Sequence, residues 1–304
     1  MPFLINAAQF DKFRKNQKNI LVFDASVHTN ERDAYQEFLD KHIIGAHFFD
    51  LKAFNDPDPA APHSNMILDD ATRLGALLGK MGIRQDYKII FYDNSSLHTA
   101  ARALWLLKFA GHNPHLLYIL DGGLAAWERH KGKTESGQPA VIPRSYPATL
   151  QRQYMRTLNQ IKENMAHPKE QIVDVRHAVR FAGGPEPREG VRSGHIPGSF
   201  NTPLSIFFTN NGLFLSIDKM RKRIRDLGID LSRPIITSCG SGMTAPALNF
   251  ILDLASTAPN ALYNGSWAEW GRETLYADEA SLDERPISNC IDPSVDDSEP
   301  QVMP

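Results

Sequence analysis

The chain repeats itself once, and that repeat restricts its architecture more than any other feature. Gln171-Ile172-Val173-Asp174-Val175 answers Leu21-Val22-Phe23-Asp24-Ala25, and Gly194-His195-Ile196-Pro197-Gly198-Ser199 answers His42-Ile43-Ile44-Gly45-Ala46. Leu227-Gly228-Ile229 answers Met81-Gly82-Ile83, and Asn264-Gly265-Ser266-Trp267 answers Asp121-Gly122-Gly123-Leu124. The offsets run from 143 to 153 residues in a chain of 304. A single period near half the length signals duplication of a whole domain, not a solenoid. In the first half, helical patterns at 7–17, 71–81 and 99–110 alternate with strand-like runs at 19–25, 87–92 and 116–120. Such alternation implies an α/β fold in which each half is a parallel sheet flanked by helices. Gly, Pro and Ser cluster without apolar periodicity at 131–154, which reads as a linker between domains at 1–130 and 155–291. Residues 292–304, rich in Asp, Pro and Ser, read as a disordered tail.

Lys plus Arg number 33 and Asp plus Glu 35, so the net charge of −2 offers no electrostatic footprint for nucleic acid or a membrane surface. Two cysteines in so long a chain exclude a disulfide framework and suit a reducing compartment. No Cys-x-x-Cys pair or His/Cys cluster has metal-ligand spacing, so no metal is expected. The first 23 residues resemble neither a signal peptide nor a transit peptide, and no apolar run approaches the roughly 20 residues of a membrane span. The expectation is a soluble, cytoplasmic protein.

The stretch with the strongest chemical signal is Ile235-Ile236-Thr237-Ser238-Cys239-Gly240-Ser241-Gly242-Met243-Thr244. A buried strand ends at a cysteine, a Gly-rich turn follows, and a helix is predicted over 245–255. Strand, turn and helix N-terminus together aim several backbone N–H groups at one point and stabilise an anion there. A thiolate is such an anion, and a free thiol near pKa ~8.5 needs this help to ionise at neutral pH. Cys239 is therefore the candidate nucleophile; the alternative is a small buried hydrophobe. Cys290 lies in a polar stretch with no glycines and no helix following, and is expected to have no catalytic role. The first half carries Asp93-Asn94-Ser95-Ser96 at the position of Cys239, without thiol or glycines. An acidic side chain there repels an anion, so only one site is expected. A second constellation is Arg180-Phe181-Ala182-Gly183-Gly184-Pro185-Glu186-Pro187-Arg188. In so Gly/Pro-rich a stretch the two arginines read as loop residues, free to converge on one carboxylate. The alternative is solvated arginines, or ion pairs to Glu186 and Glu189.

Cys239-Gly240-Ser241-Gly242-Met243-Thr244 resembles the active-site loop of the rhodanese superfamily in its 3-mercaptopyruvate sulfurtransferase form, which usually has valine at the place of Met243. The resemblance covers nearly the whole chain except the tail and implies two tandem rhodanese-like domains. It implies Cys239 as nucleophile, with Gly240, Gly242, Met243 and Thr244 forming the loop around the substrate. It also implies Arg180 and Arg188 as holders of the keto-acid, although one residue is missing between them relative to the family. A first-domain histidine, which falls on His63, is implied to reach Ser241 and handle a proton. The acidic residue that supports it in the family is replaced by Lys52; the alternatives are Asp56 or Asp58 in its place, or a histidine that acts without a carboxylate. His195 falls on a structural motif, and Trp267 and Trp270 are expected in the core. The implied activity moves sulfur from 3-mercaptopyruvate through a cysteine persulfide to a thiol or cyanide, thioredoxin or glutathione being candidate thiols, without a cofactor. Two alternatives remain: thiosulfate as donor, disfavoured because Gly240 and Ser241 bring no cation after the cysteine, and a non-enzymatic persulfide relay. A cysteine phosphatase is excluded, since it needs arginine where Ala245 stands.

Overall fold

The computed structural model describes residues 2–56, 69–273 and 282–290. The first half runs β1 (Phe3–Ile5), α1 (Ala7–Asn16), β2 (Ile20–Asp24), α2 (Ala34–Asp40), β3 (His42–Ile43), β4 (Ala46–Phe48), α3 (Ala71–Lys80), β5 (Lys88–Tyr92), α4 (Ala100–Phe109), β6 (Leu117–Leu120) and α5 (Gly123–Arg129). After β7 (Thr134–Glu135), the second half runs β8 (Met155–Arg156), α6 (Leu158–Ala166), β9 (Gln171–Asp174), α7 (Ala178–Ala182), β10 (Phe200–Asn201), α8 (Ile217–Asp226), β11 (Ile235–Ser238), α9 (Ala245–Ala255), β12 (Asn260–Tyr263) and α10 (Ser266–Trp270).

Each half builds a five-stranded, wholly parallel sheet, ordered β1-β6-β5-β2-β4 in the first and β8-β12-β11-β9-β10 in the second. Strand by strand the two orders are the same, so the duplication extends to topology. The central strand β5 is an almost uninterrupted apolar run, and all four residues of β11 (Ile-Ile-Thr-Ser) are buried, as a sheet covered on both faces requires. Even the helix starts repeat. Asn6 with Gln9 and Thr157 with Gln160 form capping boxes, each satisfying two otherwise orphaned N–H groups at the first helix of its half.

The halves meet through α4 and α9. All ten residues of α4 are buried, and the largest apolar cluster runs continuously from Leu104 and Leu107 to Leu248, Ile251 and Leu252. A buried Lys108–Asp253 ion pair and the Trp105 indole N–H, which donates to the Tyr154 carbonyl at 3.1 Å, cross the same seam. Residues 131–154 are tied down. Within them β7 pairs antiparallel with β3, and the Arg144 N–H donates to Gly79 O at 2.8 Å. A Cβ on Gly79 would lie 2.4 Å from the Arg144 carbonyl oxygen, so only glycine lets α3 and this segment touch. Residues 292–304, together with His63 and Asp58, lie outside the described residues.

Candidate active site

β11 carries Cys239 to the C-terminal edge of its sheet, where ligands bind in open α/β folds. Six residues later α9 starts at Ala245, with Pro246 in its first turn, where the missing N–H costs nothing. The thiol is 1% exposed. Its sulfur accepts the Gly242 N–H at 3.2 Å. Burial pushes the thiol pKa up, but the Thr244 hydroxyl and the N–H groups of Ala245, Ser241 and Thr244 outweigh it, leaving Cys239 below the ordinary thiol value. Gly242 has φ +80°, and a Cβ on it would meet the Asn264 carbonyl oxygen at 2.3 Å, so the turn needs glycine twice over. Ser241, Met243 and Thr244 are half-buried on the open side of the loop, and Met243 packs on the core.

The far side of the loop rests on α10. Cys239 O accepts from Trp267 N at 3.0 Å and Gly240 O from Ala268 N at 2.8 Å. Ser266 Oγ accepts the Cys239 N–H at 3.1 Å and donates to Tyr263 O at 2.8 Å. Ser266 has φ +52°, a left-handed conformation that costs a non-glycine residue roughly 1–2 kcal/mol. Its counterpart Gly123 adopts φ +54° without that cost. The serine is held where its hydroxyl satisfies the buried N–H of the nucleophile. Trp267 and Trp270 are core residues, 1% and 0% exposed.

Sequence reasoning missed one cation. Arg102, on α4 of the first half, is 1% exposed and donates to Gly242 O at 3.2 Å and Asn264 Oδ1 at 2.7 Å. Its guanidinium lies over the Trp105 ring at 4.9 Å. Burial lowers its pKa to about 10, against a raising contribution from the Cys239 charge. The signal was present: an arginine in the otherwise apolar stretch Ala-Ala-Arg-Ala-Leu-Trp has no solvent-facing stripe to occupy.

The arginine pair converges, with one correction. Arg180 lies on the short helix α7, not on a loop; His177 caps that helix and Gly183, at φ +111°, ends it. Arg180 Nη2 reaches both Glu186 carboxylate oxygens (3.0 and 2.8 Å), and Arg188 Nη1 donates to Glu186 Oε1 at 2.9 Å. Arg176 Nη1 stands 3.7 Å from the same carboxylate, which is only 3% exposed. Arg176 also pairs with Asp174 at 2.9 Å and donates to Gly194 O at 2.7 Å. The ion pairing weighed as an alternative is therefore real, with Glu186 as the hub. It leaves Arg188 at the cysteine loop, while Arg180 contacts Glu186. A Cβ on Gly240 would lie 2.7 Å from Arg188 Nη2 and 3.0 Å from Nη1, which sets the guanidinium directly against the residue after Cys239.

The remaining predicted residues divide. His195 Nδ1 lies 2.7 Å from Phe181 O, and its ring stacks on Phe181 at 3.8 Å, a packed histidine that burial keeps below its usual pKa. Cys290 is exposed, its N–H donating to Ala182 O at 2.8 Å. Lys52 lies in a 3-10 turn whose cap, Asp50, accepts the Lys52 N–H at 2.9 Å. In the first half, Asp93 Oδ2 accepts the Ala100 N–H at 2.8 Å, so its own carboxyl fills the anion seat at the start of α4. Burial raises Asp93 to about 7. A cavity of about 540 Å³ opens beside it, lined by Ser95, His98 and Phe208 among others. Among the described residues no group of His, Cys, Asp and Glu is arranged to hold a metal ion, and no helix is long and apolar enough to cross a membrane.

Comparison with known proteins agrees with this geometry. The rhodanese-like domain family matches residues 6–130 and again 157–273. A mouse 3-mercaptopyruvate sulfurtransferase is 35% identical over 264 residues, covering 85% of this chain and 87% of the relative. A chicken thiosulfate sulfurtransferase is 36% identical over 254 residues, covering 82% and 85%. The crystal structure of SseA from Escherichia coli, titled for the rhodanese fold and catalytic mechanism of 3-mercaptopyruvate sulfotransferases, superposes with a TM-score of 0.77 at 29% identity, covering 88% of this chain and 99% of that one. With a duplicated parallel fold, a thiol in an N–H cradle and relatives of this kind, the chain belongs to the rhodanese family as a sulfurtransferase of two rhodanese-like domains.

Proposed function

We propose that the chain transfers sulfur from 3-mercaptopyruvate to a thiol through a persulfide on Cys239. One observation carries the choice of donor: the Arg188 guanidinium, a planar fork suited to a carboxylate, packs against Gly240, the residue after the nucleophile. Arg180 and Arg188 hold the carboxylate and carbonyl of the keto-acid. The Cys239 thiolate attacks the donor sulfur, the C–S bond breaks, and its electron pair passes to the enolate of pyruvate. The proton of the donor thiol ends on the methyl carbon of pyruvate, relayed by Ser241 with His63, and the persulfide anion stays in the N–H cradle of Gly240, Ser241, Gly242, Met243 and Thr244. A thiol such as thioredoxin or glutathione, or cyanide, then removes the outer sulfur. No cofactor enters these steps, and the cytoplasm, where such thiols are reduced, is the proposed compartment.

The second reading, thiosulfate as donor, is favoured by the equal similarity to a thiosulfate sulfurtransferase. Sulfide release from each donor with a dithiol acceptor, for wild type and Cys239→Ser, separates them. The expected result is a strong preference for 3-mercaptopyruvate and a dead variant. A preference for thiosulfate overturns the choice of donor, and an active Cys239→Ser overturns the persulfide.

A further inference from the structure

The charges gathered at the arginine pair do not cancel. Arg176, Arg180 and Arg188 bring three positive charges to one cluster, Arg176 buried and the other two half-buried, and Asp174 and Glu186 bring two buried negative ones. Glu186 is the shared partner of all three guanidinium groups and is 3% exposed, so solvent does little to screen it. Arg102, behind the loop, balances the Cys239 thiolate and leaves the count unchanged. The cluster carries one net positive charge and touches the nucleophile loop through Arg188, which packs against Gly240.

We propose that Glu186 is a positioning residue that sets the charge of the donor: by neutralising part of the arginine cluster, it leaves room for one carboxylate and penalises a dianion. This inference rests on the keto-acid reading and deepens it. A monoanion restores neutrality beside the buried Glu186 carboxylate, between arginines that are only partly exposed. A dianion such as thiosulfate leaves one charge uncompensated there, which is costly. Glu186 also fixes geometry. It holds Arg180 through both carboxylate oxygens and Arg188 through Nη1, so that Arg188 Nη2 is turned toward Gly240. Discrimination thus comes from a repulsive element as much as from the arginine fork.

The test is Glu186→Gln, which keeps shape and removes the charge. The readout is the ratio of kcat/KM for thiosulfate to kcat/KM for 3-mercaptopyruvate. The ratio is expected to rise by at least about tenfold over wild type, mostly through KM. A purely structural role lowers both donors together, so a ratio within about twofold of wild type overturns the proposal. Protection of Cys239 from iodoacetamide by pyruvate and by sulfate reads the same preference without turnover, and sulfate must gain relative to pyruvate. Should Glu186→Gln fail to fold, Asp174→Asn raises the same count from behind Arg176 and must move both ratios in the same direction by a smaller factor. Wild-type turnover of 3-mercaptopyruvate judges the donor assignment separately. A wild type that prefers thiosulfate overturns that assignment, while the variant-to-wild-type change in ratio still decides the role of Glu186.

Discussion

Replacing Gly240 by alanine puts a methyl group where the Arg188 guanidinium now lies. The new Cβ would stand 2.7 Å from Nη2, 3.0 Å from Nη1 and 3.2 Å from Cζ, whereas ordinary contact begins at 3.4 Å. The guanidinium must therefore withdraw by about 0.7 Å, enough to turn a hydrogen bond of ordinary length into none. The obstacle is the end of a flexible side chain and the Gly240 backbone is not left-handed, so the fold itself absorbs the change. Stability is expected to stay within about 0.5 kcal/mol of wild type. Losing one charge-assisted hydrogen bond costs about 1.5–3 kcal/mol, or roughly ten- to hundredfold in the KM for 3-mercaptopyruvate. Steady-state kinetics and a melting curve check both halves. In the double variant Gly240→Ala/Arg188→Ala the alanine at 240 must add no further loss, because its target is gone. An unchanged KM, or a loss in kcat alone, refutes the argument that Arg188 holds the donor.

Other predictions follow from the same geometry. Gly242→Ala meets a carbonyl instead of a side chain and sits at φ +80°, so it is expected to cost more than about 2 kcal/mol in urea unfolding. Arg102→Met removes a cation that favours the thiolate; the pH profile of Cys239 alkylation by iodoacetamide should move to higher pH, with Arg102→Lys in between. Asp93 is raised to about 7 in the folded state, so the folded protein binds a proton that the unfolded chain has released. Stability is then fullest below the unfolded carboxyl pKa and falls as the pH rises toward about 7, a loss Asp93→Asn removes. The melting-temperature advantage of Asp93→Asn over wild type should accordingly be larger at pH 8 than at pH 5, and an equal difference at both contradicts the raised pKa.

The parts legible in the sequence were those encoded locally. The alternation of helical and strand-like runs announced a parallel sheet flanked by helices, the helix after Cys239 spans 245–255 as expected, and the duplicated motifs reproduce one strand order twice. What escaped is non-local or too short to show a period. Five-residue α7 has a single buried residue, Phe181, and cannot display helical periodicity, so Arg180 was read as a loop residue. Glu186 reads in the sequence as one of two possible ion-pair partners of the arginines; its burial follows only when Arg176, Arg180 and Arg188 close around it. Arg102 lies 140 residues from Gly242, and no spacing rule links an arginine of one half to the cradle of the other.

The measurement that tests the central claim most directly is a single turnover without acceptor. Purified protein is mixed with a slight excess of 3-mercaptopyruvate, quenched, and examined by mass spectrometry of its peptides alongside a pyruvate assay. The account predicts one added sulfur atom on the peptide containing Cys239, none on that containing Cys290, and one pyruvate per chain. Pyruvate released without sulfur on Cys239, or sulfur loaded by thiosulfate and not by the keto-acid, contradicts it.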